Sequence, residues 1–222
     1  MTTLRLMLRY LPHPKEIILC DVYSKLNYLS ETRQKVIHEF GFQGKVHIAP
    51  SKLHAPPEIY QATLIIGATS VPDILDIAQL QPGTMIVDDS GPHCFIVNAA
   101  IQRFEEHADI LFTEGGVLRS PHPIKQLMYL SPDMEEIMRA TEMEYLFEPS
   151  PFDIMGCVFS SLLSSCFEDL PPTVGIPDTD SCLQHIDVLD QLGFQAADLH
   201  CEGYLLPEEL IRRFRERFGN QP

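Results

Sequence analysis

Long apolar segments are missing from this chain of 222 residues. No apolar run reaches the roughly 18 residues needed to span a bilayer, and no basic-then-apolar leader opens the sequence. We therefore expect a cytoplasmic protein without a membrane span. Hydrophobic residues still make up 45% of the chain, which is enough for a buried core in one domain with an appendage, or in two small domains.

Basic residues are scarce, with 16 Lys and Arg against 31 Asp and Glu and a formal net charge of −15. Binding to a phosphate backbone depends on clustered Lys and Arg. Nucleic acid is therefore not expected as a partner.

Paired cysteine motifs are also lacking. The six cysteines, at positions 20, 94, 157, 166, 182 and 201, form no C-x-x-C pair and show no metal-type spacing. Reduced thiols in the cytoplasm fit this pattern better than a disulfide framework, and the spacing predicts no metal site.

The pattern of residues 63–92 is typical of two buried parallel strands. Short apolar runs at 63–66 and 84–87 flank a helical pattern at 71–80, and both runs are short enough to be strands. A right-handed β-α-β crossover would bring the turns that follow the two runs to the carboxyl edge of one sheet, where ligands bind in open α/β folds. These turns contain Gly67, Ala68, Thr69 and Ser70, and Asp88, Asp89, Ser90, Gly91 and Pro92.

The same alternation of elements continues along residues 1–118. Strand patterns at 15–22, 45–49 and 109–113 alternate with helical patterns at 3–10, 30–40 and 95–107, the second of them with Ser30 as its expected N-cap. This order predicts an α/β domain with a doubly wound, mostly parallel sheet. Helical patterns at 134–143, 157–167, 180–192 and 206–218 predict a helical C-terminal region over residues 119–222.

The predicted sheet lacks the start of a dinucleotide-binding unit. Such a unit begins with a strand, a G-x-G-x-x-G turn and a helix, and an acidic residue follows about 20 positions after the glycines. Asp21 occupies the position of that acid and residues 3–10 that of the helix, so the first strand and its glycine turn are missing. We expect an N-terminally truncated chain, a gap filled by another segment or a second copy, or a variant whose sheet has closed up.

Several motifs together resemble the long-chain acyl-[acyl-carrier-protein] reductases, which form fatty aldehydes. They are LRLMLRYLPHPKEIILCDV, LIIGATS, MIVDDSGPHCF, ILFTEGGVL, DIMGCVFSSLLSSCFEDL and LDQLGFQAADL, and the similarity covers residues 3–205. The resemblance implies a Rossmann fold and an NAD(P)H-dependent oxidoreductase that reduces a small-molecule or carrier-bound acyl thioester to an aldehyde. Shikimate-dehydrogenase-like and amino-acid-dehydrogenase-like enzymes share the sheet and the ATS turn, and they use no covalent intermediate.

The resemblance implies a role for Cys157, and the chemistry of histidine suggests one for His93. Cys157 matches the family's nucleophile, which forms an acyl thioester as a thiolate, a state that a helix N-terminus favours. His93 is a candidate general acid because the unperturbed pKa of histidine lies near neutrality. The alternatives are that Cys157 is a small core residue and that His93 is an idle loop histidine.

The expected cofactor is NAD(P)H. Asp21 would bind the adenine ribose hydroxyls and repel a 2′-phosphate, which favours NADH and departs from the NADPH use of the family. The other candidate cofactor-binding residues are Gly67, Ala68, Thr69, Ser70, Asp89, Gly91, Gly115 and Gly116. Each of these could instead simply form a tight turn.

A non-enzymatic alternative follows from the missing glycine turn. Without that turn the chain could be a non-catalytic remnant, or it could complete a sheet in a homodimer. Arginines 212, 213, 215 and 217 give the last predicted helix a basic face. That face could bind an acidic carrier protein or could simply be solvated.

Overall fold

The computed structural model describes residues 2–125, 131–140, 150–172, 174–175 and 178–219. Helix α1 (Thr2–Tyr10) and α2 (Leu26–His38) accompany strands β1 (Glu16–Leu19) and β2 (Lys45–Ile48). The two strands pair in parallel, with Ile17 opposite Val46. Leu8, Val36 and Phe42 form a small core against this unit.

A second parallel sheet lies at the centre of the chain. Its strands are β3 (Leu64–Gly67), β4 (Thr84–Asp88) and β5 (Ile110–Glu114), paired in the order β3-β4-β5. Helix α3 (Val97–His107) covers one face. The chain is therefore an α/β protein with parallel sheets, as the sequence predicted.

The C-terminal region contains helices and short antiparallel strands. The helices are α4 (Pro132–Ala140), α5 (Gly156–Cys166), α6 (Thr179–Gln191) and α7 (Glu208–Phe218). Strands β6 (Val117–Arg119), β7 (Asp153–Met155) and β8 (Gln195–Ala196) form one sheet in the order β7-β6-β8, and β9 (His200–Cys201) and β10 (Tyr204–Leu205) form a hairpin. The strands were not predicted, and residues 141–143 of the predicted methionine-rich helix lie outside the described residues.

The main core combines the central sheet with the end of the chain. Phe112 of β5 meets Phe104 of α3 edge-on, with ring centroids 6.0 Å apart. Ile211 and Phe214 of α7 belong to the same buried cluster, so the last helix packs with the sheet of residues 64–114. Among the described helices, none has the length and apolar character required to cross a bilayer.

The break between the two parallel sheets differs from the single sheet that the sequence predicted. Strands β3, β4 and β5 lie side by side in one direction, as predicted. Among the described residues, however, β1 pairs only with β2. In the Rossmann order 3-2-1-4-5-6, the first strand would lie between the strands that correspond to β1 and β3. Among the described residues, the parallel strands therefore form two separate sheets, β1-β2 and β3-β4-β5.

Two local predictions were wrong. Residues 71–80 form no α-helix but an extended segment with a single 3₁₀ turn (Ile77–Gln79), because Asp73 adopts a positive φ of 55° and the Leu75 N–H donates to Cys94 O. Ser30 lies inside α2 and is not its N-cap, since a 3₁₀ turn (Tyr23–Lys25) leads into the helix one turn earlier.

Candidate functional site

The exits of β3, β4 and β5 are bonded to one another at the carboxyl edge of the central sheet. The Asp89 N–H donates to Gly67 O (2.9 Å), and the Thr69 N–H donates to Ser90 Oγ (2.9 Å). The Gly115 N–H donates to Asp88 O (2.8 Å). The structure therefore brings together the three turns in which the sequence placed most of the candidate site residues.

Asp88 is a buried carboxylate at this edge, with 1% of its surface exposed. Its Oδ2 accepts hydrogen bonds from the Cys94 N–H (2.9 Å) and from His93 Nδ1 (3.0 Å). Burial opposes ionisation, but the hydrogen bonds from His93, Ser90 and Cys94 outweigh it and lower the pKa of Asp88 to about 2. Asp88 is thus a fixed negative charge beneath His93.

The other ring nitrogen of His93 faces two further groups. Nε2 lies 3.3 Å from Glu114 Oε2 and 3.6 Å from Cys201 Sγ. The hydrogen bond to Asp88, followed by the contacts with Cys201 and Glu114, raises the pKa of His93 to about 12. The role of His93 as a general acid stays a prediction.

Glu114 is held from the opposite side by His200. His200 Nε2 lies 3.0 Å from Glu114 Oε1. Burial works against ionisation of Glu114, yet the bonds from His200, His93 and the Glu202 N–H lower its pKa to about 2. The bond to Glu114 in turn raises the pKa of His200.

Cys201 reaches this group through the β9-β10 hairpin, which contacts the end of β5. The Thr113 hydroxyl donates to His200 O (3.1 Å) and accepts from the His200 N–H (3.3 Å). Cys201 is fully buried, and burial raises the pKa of its thiol although the His93 contact lowers it. We call Asp88, His93, Glu114, His200 and Cys201 the carboxyl-edge cluster.

Sequence reasoning named only His93 of this cluster as a site residue. The strands that end at Asp88 and Glu114 were correctly predicted, so the sequence placed both residues at the edge. It did not name either of them as a site residue. His200 and Cys201 follow 86 and 87 positions after Glu114. No local pattern connects them with β5, and only the hairpin contacts bring them to the edge.

Cys157 belongs to α5, whose first residue bonds to the turn that follows β5. It is exposed and is the second residue of α5. The Gly156 N–H donates to Gly116 O (2.7 Å), and Gly116 lies against Asp89, whose Oδ1 would be 3.1 Å from a Cβ at Gly116. The structure thus brings Cys157, Asp89, Gly115 and Gly116 into one neighbourhood, and the interpretation of Cys157 as a core residue is wrong.

Gly67 has a structural reason to be glycine. A Cβ at this buried position would lie 2.0 Å from Asp88 Oδ1 and 2.9 Å from Cys94 Sγ. Gly91 differs, since nothing lies within 4 Å of its would-be Cβ. Ala68 and Ser70 are exposed.

Asp21 is not brought to this neighbourhood by any contact between described residues. It follows β1 in the two-stranded sheet, is exposed, and its carboxylate accepts a hydrogen bond from the Val22 N–H (2.7 Å). The preference for NADH that Asp21 implies stays a prediction.

The described residues fit only one end of a dinucleotide. In the described ranges, no strand is followed by a glycine-rich turn and an α-helix, so they offer no cradle for a pyrophosphate. Thr69, Asp89, Gly115 and Gly116 lie at the carboxyl edge of the β3-β4-β5 sheet, the edge at which open α/β sheets bind ligands.

The predicted basic face of α7 is partly engaged by the chain itself. Arg212 pairs with Glu209 and Glu216. Arg217 donates to His107 O (2.7 Å) at the end of α3. Two of the four arginine side chains on this face thus already have partners within the chain, and they are less available to an acidic partner.

No known protein family, curated protein or solved structure gives a match to this chain. The function is therefore proposed from the sequence resemblance and from the geometry of the carboxyl edge.

Proposed function

We propose that this chain is the core of a Rossmann-type, NAD(P)H-dependent oxidoreductase that reduces an acyl thioester to an aldehyde through Cys157. One observation carries the proposal. The bond from the Gly156 N–H to Gly116 O (2.7 Å) holds the first turn of α5, with its exposed cysteine, against the turn that follows β5.

The chain's own residues would perform the acyl transfer. The Cys157 thiolate attacks the carbonyl carbon of the acyl thioester, the bond to the departing sulfur breaks, and the released thiolate takes a proton from solvent. A bound nicotinamide would supply the hydride for reduction of the acyl group that Cys157 holds. The resulting hemithioacetal anion collapses to the aldehyde and returns the Cys157 thiolate, so no general acid is needed in that step.

The two parallel sheets support the Rossmann-type arrangement. If the two sheets are placed edge to edge in the order β2-β1-gap-β3-β4-β5, their five strands match positions 3, 2, 4, 5 and 6 of the order 3-2-1-4-5-6. The gap then corresponds to the inner strand 1. Cofactor binding then requires that a strand and a glycine-rich turn fill the gap. Thr69, Asp89, Gly115 and Gly116 would hold the nicotinamide end.

Acylation of Cys157 tests the reaction. We expect the chain, incubated with a long-chain acyl-coenzyme A, to gain the mass of one acyl group in intact-mass spectrometry and to carry it on the Cys157 peptide. Cys157→Ser should abolish the adduct. Cys166→Ser, which removes another exposed cysteine of the same helix, should retain it.

An adduct on another cysteine, or none at all, would contradict the thioester mechanism. Absence of an adduct together with substrate-dependent NADH oxidation would instead favour a dehydrogenase of the shikimate or amino-acid type, which forms no covalent intermediate.

The break between β1 and β3 favours a second candidate function, a non-catalytic chain that completes a sheet with another copy. Calorimetry with NADH and sedimentation velocity separate the two. Tight NADH binding by a monomer would contradict the second candidate, whereas a dimer that binds no NADH would support it.

A further inference from the structure

Three donor atoms of the carboxyl-edge cluster converge on one point. His93 Nε2, a carboxylate oxygen of Glu114 and Cys201 Sγ all lie within 4.8 Å of one another. They come from the loop after β4, the end of β5 and strand β9, so three distant parts of the sequence meet there. Imidazole, carboxylate and thiolate are the ligand types that Zn²⁺ takes in proteins.

We propose that His93, Glu114 and Cys201 bind a Zn²⁺ ion at the carboxyl edge of the β3-β4-β5 sheet. The site departs from the sequence-based expectation of no metal. It goes beyond the proposed acyl reduction and does not depend on it.

Two of the three distances between the donor atoms match a tetrahedral zinc site, and the third, from Cys201 Sγ to the Glu114 carboxylate, is within 4.8 Å. With ordinary Zn–S, Zn–N and Zn–O bonds, tetrahedral angles place sulfur and nitrogen about 3.5 Å apart and nitrogen and oxygen about 3.3 Å apart. Cys201 Sγ and His93 Nε2 are 3.6 Å apart, and His93 Nε2 and Glu114 Oε2 are 3.3 Å apart. Hydrogen bonds among the three side chains would not have to give both of these donor-atom distances.

The groups behind the ligands are those expected at a metal site. Asp88 accepts the Nδ1–H of His93, which fixes the tautomer whose Nε2 lone pair points at the metal. His200 lies against Glu114 Oε1, while Oε2, which also accepts a long hydrogen bond from the Glu202 N–H (3.4 Å), is the oxygen that faces His93 Nε2. The bond between His93 Nδ1 and the Asp88 carboxylate is the outer contact found in carboxylate-histidine-zinc arrangements.

The charges are also suited to a divalent cation. A Cys201 thiolate and the Glu114 carboxylate together neutralise Zn²⁺ in a place where His93 and Glu114 side chains are only 13% and 24% exposed. Zinc binding releases the Cys201 thiol proton and any proton on His93 Nε2, while the bond from His93 Nδ1 to Asp88 stays.

Cys201 is better suited to bind a metal than to act as a nucleophile. Cys201 and His93 resemble a nucleophile and its base, with Asp88 as the orienting carboxylate. Cys201 is fully buried, however, so no acyl substrate reaches its sulfur without movement of the β9-β10 hairpin. Three protein ligands leave the fourth position of a zinc ion to a water or substrate oxygen.

Metal titration of the full chain tests the site. After treatment with a chelator and exchange into metal-free buffer, we expect the protein to bind about one Zn²⁺ per chain in calorimetry. Replacement by Co²⁺ should give the visible bands of tetrahedral coordination and a near-ultraviolet thiolate-to-cobalt band. Binding should also raise the thermal unfolding midpoint, because the metal binds the folded chain.

Variants identify the ligands. Cys201→Ser should remove the thiolate-to-cobalt band, while Cys182→Ser, a cysteine of α6 outside the cluster, should keep it. Asp88→Asn should weaken zinc binding by about 10–100-fold, since it loosens the orientation of His93. Glu114→Gln provides a second ligand variant that preserves side-chain shape should Cys201→Ser fail to fold.

Two results would overturn the proposal. One is a wild-type chain that binds neither Zn²⁺ nor Co²⁺ after chelator treatment. The other is a cobalt spectrum without a thiolate band, or one that Cys201→Ser and Glu114→Gln both leave unchanged.

Discussion

Asp88 accepts hydrogen bonds from the Cys94 N–H and His93 Nδ1 while 1% of its surface is exposed. Replacement by alanine leaves both donors without this acceptor in a buried place, and it removes the negative charge opposite an imidazolium. We expect Asp88→Ala to lower the free energy of unfolding by about 3 kcal/mol or more. Urea denaturation followed by circular dichroism measures this change.

The neighbouring Asp89 provides the control. Its side chain is exposed, and its backbone N–H bond to Gly67 O survives truncation. Asp89→Ala should change the free energy of unfolding by less than about 0.5 kcal/mol. Equal losses for Asp88→Ala and Asp89→Ala would show that the buried hydrogen bonds of Asp88 do not stabilise the edge.

Gly67 makes the packing of Asp88 testable from the other side. An added Cβ would lie 2.0 Å from Asp88 Oδ1, so either the carboxylate or β3 must shift. We expect Gly67→Ala to destabilise the fold by about 1–3 kcal/mol in the same denaturation experiment. Gly115→Ala is the matched variant, because its Cβ would come no closer than 3.3 Å to Asp89, and a similar loss there would contradict the steric argument.

Single residues of the site differ in how far the sequence revealed them. Asp89 and Gly115 follow strands with clear apolar patterns, so the strand prediction placed them at the edge. His93 was found as a titratable side chain near such a turn, but its bond to Asp88 depends on the path of the loop after β4. Cys201 could not be found, because the contact between its hairpin and Thr113 is entirely tertiary.

At the scale of elements, apolar periodicity predicted most helices and strands but failed at residues 71–80. The apolar side chains there are spaced as in a helix, yet Leu75 pairs with Phe95 in an isolated parallel bridge and the Asp76 carboxylate accepts the Ala78 N–H. Asp76 therefore caps a short 3₁₀ turn instead of continuing a helix. Tertiary pairing decided the structure of this segment, and local periodicity could not anticipate it.

Arg103 of α3 connects the non-helical segment of residues 71–80 to α3 through hydrogen bonds. It donates to both carboxylate oxygens of Asp109 (3.0 and 2.9 Å), and it also donates to the carbonyl groups of Ile77 and Leu80. A lysine provides one ammonium and cannot reproduce this fork. We expect Arg103→Lys to lower the free energy of unfolding by about 1–3 kcal/mol, measured in urea.

Arg213, an exposed arginine of α7, provides the comparison for that substitution. Arg213→Lys should leave the urea midpoint nearly unchanged. If Arg103→Lys were equally harmless, the carbonyl contacts of Arg103 would not hold residues 77–80 in place.

At the scale of the whole molecule, the parallel strands form two sheets with separate cores. The core beside β1 and β2 is centred on Leu8, Val36 and Phe42, whereas that beside β3, β4 and β5 includes Phe104 and Phe112 and extends to α7. The sequence predicted one sheet that contains β1 as well as β3, β4 and β5, so this division differs from the prediction. It could not predict that each half keeps its own parallel pairing.

Unequal burial should give the two sheets unequal local stability. Backbone amides exchange through openings whose free energy rises with the apolar contact that each opening breaks. The two-stranded sheet loses only a small core when it opens, so we expect its amides to exchange faster than those of β4 and β5. Hydrogen exchange with mass spectrometry measures this on peptides that cover residues 16–19 and 45–48 against residues 84–88 and 110–114. Equal protection of both sets would show that the two sheets open together, and a gap between β1 and β3 would then carry no energetic consequence. Faster exchange in the two-stranded sheet would mark that gap as the boundary between two cooperative units.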